Sequence, residues 1–213
     1  MDKLEIIGEQ IREYLDEKSA ARDRALQHSR TLIRHCSRAI RAAHRNERAL
    51  CQEHLQAAAE LLDALKQGLA SYPDLYHAGY TRGALKEFAE ASIVQALLAD
   101  ESLPEPDALG VDFVAYLGGL GEAVGELRRR VLDILRHDEV TEAERLLDAM
   151  DDIYSLLVTI DFPDAITDNL RRLTDMVRGV TERTRGDLTT SRQQCELKAA
   201  LESVEKKLGR DEA

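Results

Sequence analysis

The run Leu85-Lys86-Glu87-Phe88-Ala89-Glu90-Ala91 decides how the rest of the chain is read. Leu, Lys, Glu and Ala are strong helix formers, so the segment predicts a helix. Within it, two carboxylates stand three residues apart in apolar surroundings. A second pair follows in Gly121-Glu122-Ala123-Val124-Gly125-Glu126-Leu127. At about 3.6 residues per turn, spacings of three and four put each pair on one helix face. Like charges so placed repel one another, and burying them is costly unless something compensates. A divalent metal is the usual compensation. Glu87, Glu90, Glu122 and Glu126 are therefore candidate metal ligands and catalytic groups.

Outward from this run, the whole chain has helical composition. Its 213 residues suffice for one large domain, 1–213, with a real core. Aromatics make up only 4 %, Pro is scarce, and Ala, Leu, Glu and Arg abound. The expected class is all-α. No apolar run approaches the ~20 residues of a membrane helix, and no signal peptide precedes the polar Met1-Asp2-Lys3 start. Cys36, Cys51 and Cys195 are far apart and show no metal-type pairing, so they read as reduced thiols. With a net charge of -11, these features predict a soluble cytoplasmic protein with no membrane partner.

The charge is unevenly spread. Between Lys18 and Arg48 nine basic residues face only Asp23 and Glu47. From Asp2 to about Asn46 there is no Pro and only Gly8, which predicts one long helix, bent near Ser19 and spanning ~65 Å if unbroken. Arg30, Arg34, Arg38, Arg41 and Arg45 step along one side of it, opposite its apolar stripe. They form either a solvated face or a phosphate-binding ridge.

A second helix is expected over about 47–70, ended by Ser71-Tyr72-Pro73-Asp74. Tyr72, Tyr76, His77 and Tyr80 then cluster in a connection, where they could pack or stack on bases. A third helix, about 81–99, carries Glu87 and Glu90. A loop with Pro104 and Pro106 leads to a fourth, about 108–136, with Glu122 and Glu126. Its glycines Gly118, Gly119, Gly121 and Gly125 each cost a helix ~1 kcal/mol against Ala. That cost makes sense where another helix or a ligand comes very close. Arg128, Arg129 and Arg130 read as exposed charges.

Thr141 and Glu144 form a capping-box signature for a fifth helix to about Thr159. Pro163 opens a sixth, expected to end at Gly186 as a C-cap, and a seventh covers about 188–208. The segment 196–213 reads as a polar, partly frayed tail.

Other acidic and histidine sites can be tested by spacing. Di-iron bundles need Glu-x-x-His on two helices, and none occurs. The Glu-x-x-Glu plus Glu-x-x-Asp pattern of helical nucleotide pyrophosphohydrolases fails at Gly125 and Arg129. No Gly-rich phosphate loop is visible. Of His28, His35, His44, His54, His77 and His137, only His28 and His35 approach ligand spacing, and two helical turns hold them apart.

Three blocks resemble the translin family, which includes translin and translin-associated factor X. Lys86-Glu87-Phe88-Ala89-Glu90-Ala91 resembles the acidic motif of the catalytic factor X branch. Val111-Asp112-Phe113, Tyr116-Leu117-Gly118-Gly119 and Gly125-Glu126-Leu127 together resemble the family's Asp-Tyr-Leu-Leu-Gly…Thr-Gly-Glu-Leu block. Phe162-Pro163-Asp164-Ala165-Ile166, Asn169-Leu170-Arg171-Arg172-Leu173-Thr174-Asp175 and Arg185-Gly186-Asp187-Leu188 resemble its C-terminal helix region. The match covers about residues 25 to 190 and is similar to compact, archaeal-type members.

The resemblance implies a seven-helix, translin-like bundle with a long N-terminal helix. It implies a homo-oligomeric shell, octamer or hexamer, with nuclease sites on its inner surface. It further implies a Mg²⁺-dependent endoribonuclease acting on single-stranded RNA, with Mn²⁺ as an alternative ion and single-stranded DNA as a further ligand. The family's metal-holding acidic residues fall on Glu87, Glu90, Glu122 and Glu126. Glu122 stands where the animal protein has an aspartate. Its nucleic-acid contacts fall on Arg30, Arg34, Arg38, Arg41 and Arg82, although Ala78 and Tyr80 replace the histidines of the second basic element. On this reading the metal would activate a water while Arg30, Arg34 and Arg82 hold the RNA backbone. The alternative is a scaffold that binds single-stranded RNA or DNA without cutting it.

Overall fold

The computed structural model describes residues 2–136 and 140–211, with side chains for 3–136 and 140–205. Among the described residues there are helices and no strands. Six helices are long: α1 Asp2–His44, α2 Arg48–Leu69, α4 Gly79–Leu98, α6 Phe113–Leu135, α7 Val140–Val158 and α9 Leu170–Asp211. Three are single turns: α3 Pro73–Tyr76, α5 Pro106–Leu109 and α8 Asp164–Thr167. The chain divides into two compact units, Met1–Gly119 and Leu120–Ala213.

In the first unit, α1 and α2 form an antiparallel hairpin. Its turn is made by Asn46, which is left-handed at φ 58°, a conformation asparagine tolerates better than most residues. Leu32, Cys36 and Ala39 of α1 and Ala58, Leu62 and Leu65 of α2 are almost fully buried. Both helices also contact α4, the best-covered helix of the unit. Ala84, Leu85, Ala89, Ile93 and Val94 of α4 have no exposed surface. Each buried Leu, Ile or Val of this kind contributes roughly 1.5–3 kcal/mol.

Two polar anchors shape the approach to α4 and α6. The Thr81 hydroxyl donates to the Leu75 carbonyl at 3.0 Å, tying the single turn α3 to α4. The Tyr116 hydroxyl donates to Pro104 O at 2.8 Å, pinning the proline loop to the start of α6. The expected helix over 108–136 is broken near its start. Gly110 is left-handed at φ 65°, and the Ala115 amide donates to Asp112 Oδ1 at 2.8 Å as a new N-terminal cap.

The second unit contains the rest of α6 with α7, α8 and α9. Ala143, Leu146, Met150 and Leu157 of α7 are buried, as are Leu170, Val177 and Leu188 of α9. The sixth and seventh helices expected from the sequence are one helix, α9. Gly186 lies inside it and ends nothing, because one Gly in a helical φ/ψ does not stop propagation. The Thr189 and Thr190 hydroxyls donate to the carbonyls of Arg185 and Gly186, one turn back, as helical threonines do. The backbone of the expected frayed tail is helical to Asp211. The Thr141 capping box does not form. Val140 is already helical, Glu142 pairs with Arg145 at 2.7 Å, and Glu144 reaches Arg192 at 3.4 Å.

α1 shows no break near Ser19. None of its residues from Lys3 to Ala20 is buried. No helix of the described residues is long and apolar enough to cross a membrane.

Candidate metal centre and nucleic-acid interface

The α4 run places Glu87 and Glu90 as their spacing predicts. Glu90 is 9 % exposed and Glu87 half-buried. Each can bring a carboxylate oxygen within 4.8 Å of the other's. Cys36 of α1 lies close to both. Burial first, and then the charges of Glu87 and Glu90, push its thiol far above the ordinary cysteine range. Cys36 is therefore an inert packing thiol beside the acidic pair.

The glycines of α6 explain how the second helix is admitted. A Cβ on Gly119 would sit 2.7 Å from the Glu90 backbone nitrogen and 2.8 Å from Ala89 Cβ. A Cβ on Gly118 would meet the Lys86 stem at 2.9 Å. Only glycine lets the first turns of α6 lie against the Lys86–Glu90 stretch. Within the second unit, a Cβ on Gly121 would strike Leu173 at 2.5 Å. Gly125 is different: nothing lies within 4 Å of the position.

Glu122 follows Gly119 by three residues on the same continuous helix, and therefore on the same face. It is half-buried. Glu126, one turn further, is also half-buried, with Arg129 3.6 Å from one of its carboxylate oxygens. Arg128, expected as an exposed charge, is partly buried. It donates to the Thr184 hydroxyl at 3.0 Å and pairs with Asp187 at 2.8 Å.

The ridge arginines Arg30, Arg34, Arg38, Arg41 and Arg45 are all exposed. Arg34 donates to the Thr31 hydroxyl at 3.0 Å, and Arg41 to the Ser37 carbonyl at 3.1 Å. Among the described residues none of the five pairs with a carboxylate, so their charge is available to a polyanion. At about 100° per residue, Arg34 and Arg38 each lie about 200° from Cys36 around α1. The ridge thus occupies the side of α1 away from the acidic pair. Arg82 is placed differently. It belongs to α4, on the stripe with Lys86 and Ala89 that faces Gly118 and Gly119.

The connection aromatics pack. Tyr72 meets Tyr14 with ring centroids 6.4 Å apart, and Tyr76 meets His77 at 5.2 Å. Sequence spacing missed one juxtaposition altogether. His35 of α1 and His54 of α2 face each other with Nδ1 atoms 3.3 Å apart. Nineteen residues of separation gave no local signal for it. His137 lies outside the described residues.

Comparison with known proteins places this fold. No protein-family model matches the chain. An uncharacterised protein of Methanocaldococcus jannaschii, MJ0175, is 33 % identical over 196 residues, covering 90 % of this chain and 86 % of the relative. The structures of AfC3PO, alone and in complex with duplex RNA, are 31 % identical with a TM-score of 0.80. They cover 87 % of this chain and 96–97 % of theirs. Apo-NeC3PO, 20 % identical, has the same fold at a TM-score of 0.74, covering 90 % of this chain and 98 % of that one. The fold is all-α and translin-like, with a long N-terminal helix. The chain belongs to the translin family.

Proposed function

We propose that this protein is a metal-dependent endoribonuclease of the family's catalytic branch, acting on single-stranded RNA within a homo-oligomer. One observation carries the reading: two carboxylates, one of them 9 % exposed, share a face of α4 beside the glycine-lined start of α6. A partly buried like-charge pair of this kind fits a hard cation with oxygen ligands. Glu87 and Glu90 would hold Mg²⁺, or Mn²⁺, with Glu122 and Glu126 supplied by α6. When bound, the ion supplies an activated water and offsets charge on the scissile phosphate.

The chain's own groups do the rest. Arg82, on the α4 stripe facing α6, would hold a phosphate beside the acidic pair. Arg30, Arg34, Arg38 and Arg41 would form a separate track for the RNA backbone. The structure of AfC3PO with duplex RNA supports RNA as the ligand class. A shell of eight or six copies is the assembly proposed, and the apolar side chains exposed near both ends of the chain support association. A second reading is a scaffold that holds RNA without cutting it. The outward position of the ridge favours it, because RNA could be held there without reaching the glutamates.

The test incubates the purified protein with labelled single-stranded and duplex RNA, with Mg²⁺ or with excess chelator. Cleavage of the single strand should require Mg²⁺. It should vanish in Glu126→Gln and in Glu87→Ala/Glu90→Ala, while RNA binding persists. Binding without cleavage by the wild type would leave the scaffold, and cleavage unchanged in both variants would remove the acidic residues from the chemistry.

A further inference from the structure

We propose that His35 and His54 form a second cation site, separate from the glutamates, that takes a borderline transition-metal ion of the Zn²⁺ class. The two imidazoles come from different helices, α1 and α2, and meet at the partly buried seam of the hairpin. Their Nδ1 atoms are 3.3 Å apart and their ring centroids 5.3 Å, with the rings steeply inclined at 67°. Two imidazole nitrogens on one tetrahedral zinc, each at about 2.0–2.1 Å, stand roughly 3.3 Å apart, so the observed separation already matches shared ligation.

Donor chemistry sets the class of ion. Imidazole suits zinc, nickel and copper, whereas Mg²⁺ and Ca²⁺ prefer oxygen. The site therefore would not compete with the acidic pair for its ion. Two protein ligands leave the remaining positions to water, so binding is weaker than in a four-ligand structural site.

The surrounding charges act in both directions. Arg34 and Arg38 flank His35 on α1 and disfavour an added cation, while the charge of Glu53 on α2 reaches His35 and favours it. An ion held here would join the two helices of the hairpin. It would also place positive charge beside the middle of the arginine ridge.

The simpler alternative is a bond from one Nδ1–H to the other Nδ1, with no ion, and the two can be separated. Zn²⁺ is titrated into the full-length protein with Mg²⁺ present, in a Cys195→Ser background that removes the one partly exposed thiol. Heat of binding and the thermal midpoint are followed for wild type, His35→Gln and His54→Gln. Glutamine retains hydrogen-bonding capacity, and far-UV circular dichroism checks that each variant folds. The expected result is a Zn²⁺-dependent rise in Tm and saturable binding, with affinity falling at least roughly tenfold in each variant. Zn²⁺ binding unchanged by either substitution, or no rise in Tm with excess Zn²⁺ for the wild type, would overturn the proposal.

Discussion

Gly119 and Gly125 stand six residues apart on α6, and alanine at the two positions should have opposite effects. At Gly119 a methyl group would enter the Ala89–Glu90 backbone of α4 at under 3 Å. Overpacking of this kind costs about 1–3 kcal/mol, which exceeds the ~1 kcal/mol gained from helix propensity. At Gly125 nothing opposes the methyl group, so Gly125→Ala should gain about 0.5–1 kcal/mol. Urea unfolding of the two variants checks this: a Gly119→Ala variant no less stable than the parent would mean that the close approach is not needed, and a destabilised Gly125→Ala would mean that its site is not open. The sequence showed that these glycines were costly and that something had to come close. It did not show which of them met a helix, because that depends on residues thirty positions away.

At the scale of elements, α1 works as two halves. Its C-terminal half is packed by α2 and α4, while its N-terminal half is tethered by Lys18–Asp74 at 2.8 Å and by Tyr14 against Tyr72. The hydrogen bond to Lys18 is the main reason the Asp74 carboxyl titrates below its usual range, and the reciprocal bond raises Lys18. A carboxyl with a lowered native pKa contributes stability above its unfolded value, and loses it as pH falls through the lower native value. Asp74 is exposed and Lys18 only partly covered, so the contribution is small and screened by salt. Asp74→Asn should therefore speed amide exchange over Tyr14–Ser19 at neutral pH and low salt. The difference from wild type should disappear once acid has protonated Asp74. Faster exchange in the variant that persists at acid pH would place the tether elsewhere.

The ridge is the second element-scale feature. Arg34→Glu/Arg38→Glu should weaken RNA binding similarly for all sequences. Neutralising each phosphate contact should also reduce the slope of log affinity against log salt by about one. Salt-dependent binding that is unchanged in this variant would return the arginines to a solvated face. Their periodicity was plain from the sequence. Their direction was not, because a helix with polar residues on several faces can rotate until its best apolar stripe meets its neighbours.

For the whole molecule, the exposed apolar residues bear on assembly. Leu4, Ile7, Ile11 and Leu15 recur at helical spacing on the uncovered half of α1, each at least 41 % exposed. Leu197, Leu201 and Val204 repeat the pattern on α9, beyond its last buried residue, Leu188. Stripes of this kind are normal for surfaces covered by another copy and unfavourable when left in water. Replacing Leu4, Ile7 and Ile11 together by serine should leave the helical content unchanged and shift the protein to smaller species in light scattering. A variant that keeps the parental mass would place the contact elsewhere.

The chain's helical class, its long first helix, the paired glutamates and the arginine periodicity were determined by the sequence alone. Each depends on residues within one or two turns of each other, where helical geometry fixes the spacing. Tertiary structure decided what distant residues do together. It set Cys36 beside Glu87 and Glu90, Arg128 against Thr184 and Asp187, and His35 against His54. It also carried α9 through Gly186, because a local stop signal yields when the residues beyond it can still bury a side chain, as Leu188 does. Such contacts follow from how whole helices rotate and slide to bury their apolar faces, a choice made by the sum of the packing and by no single stretch of the chain.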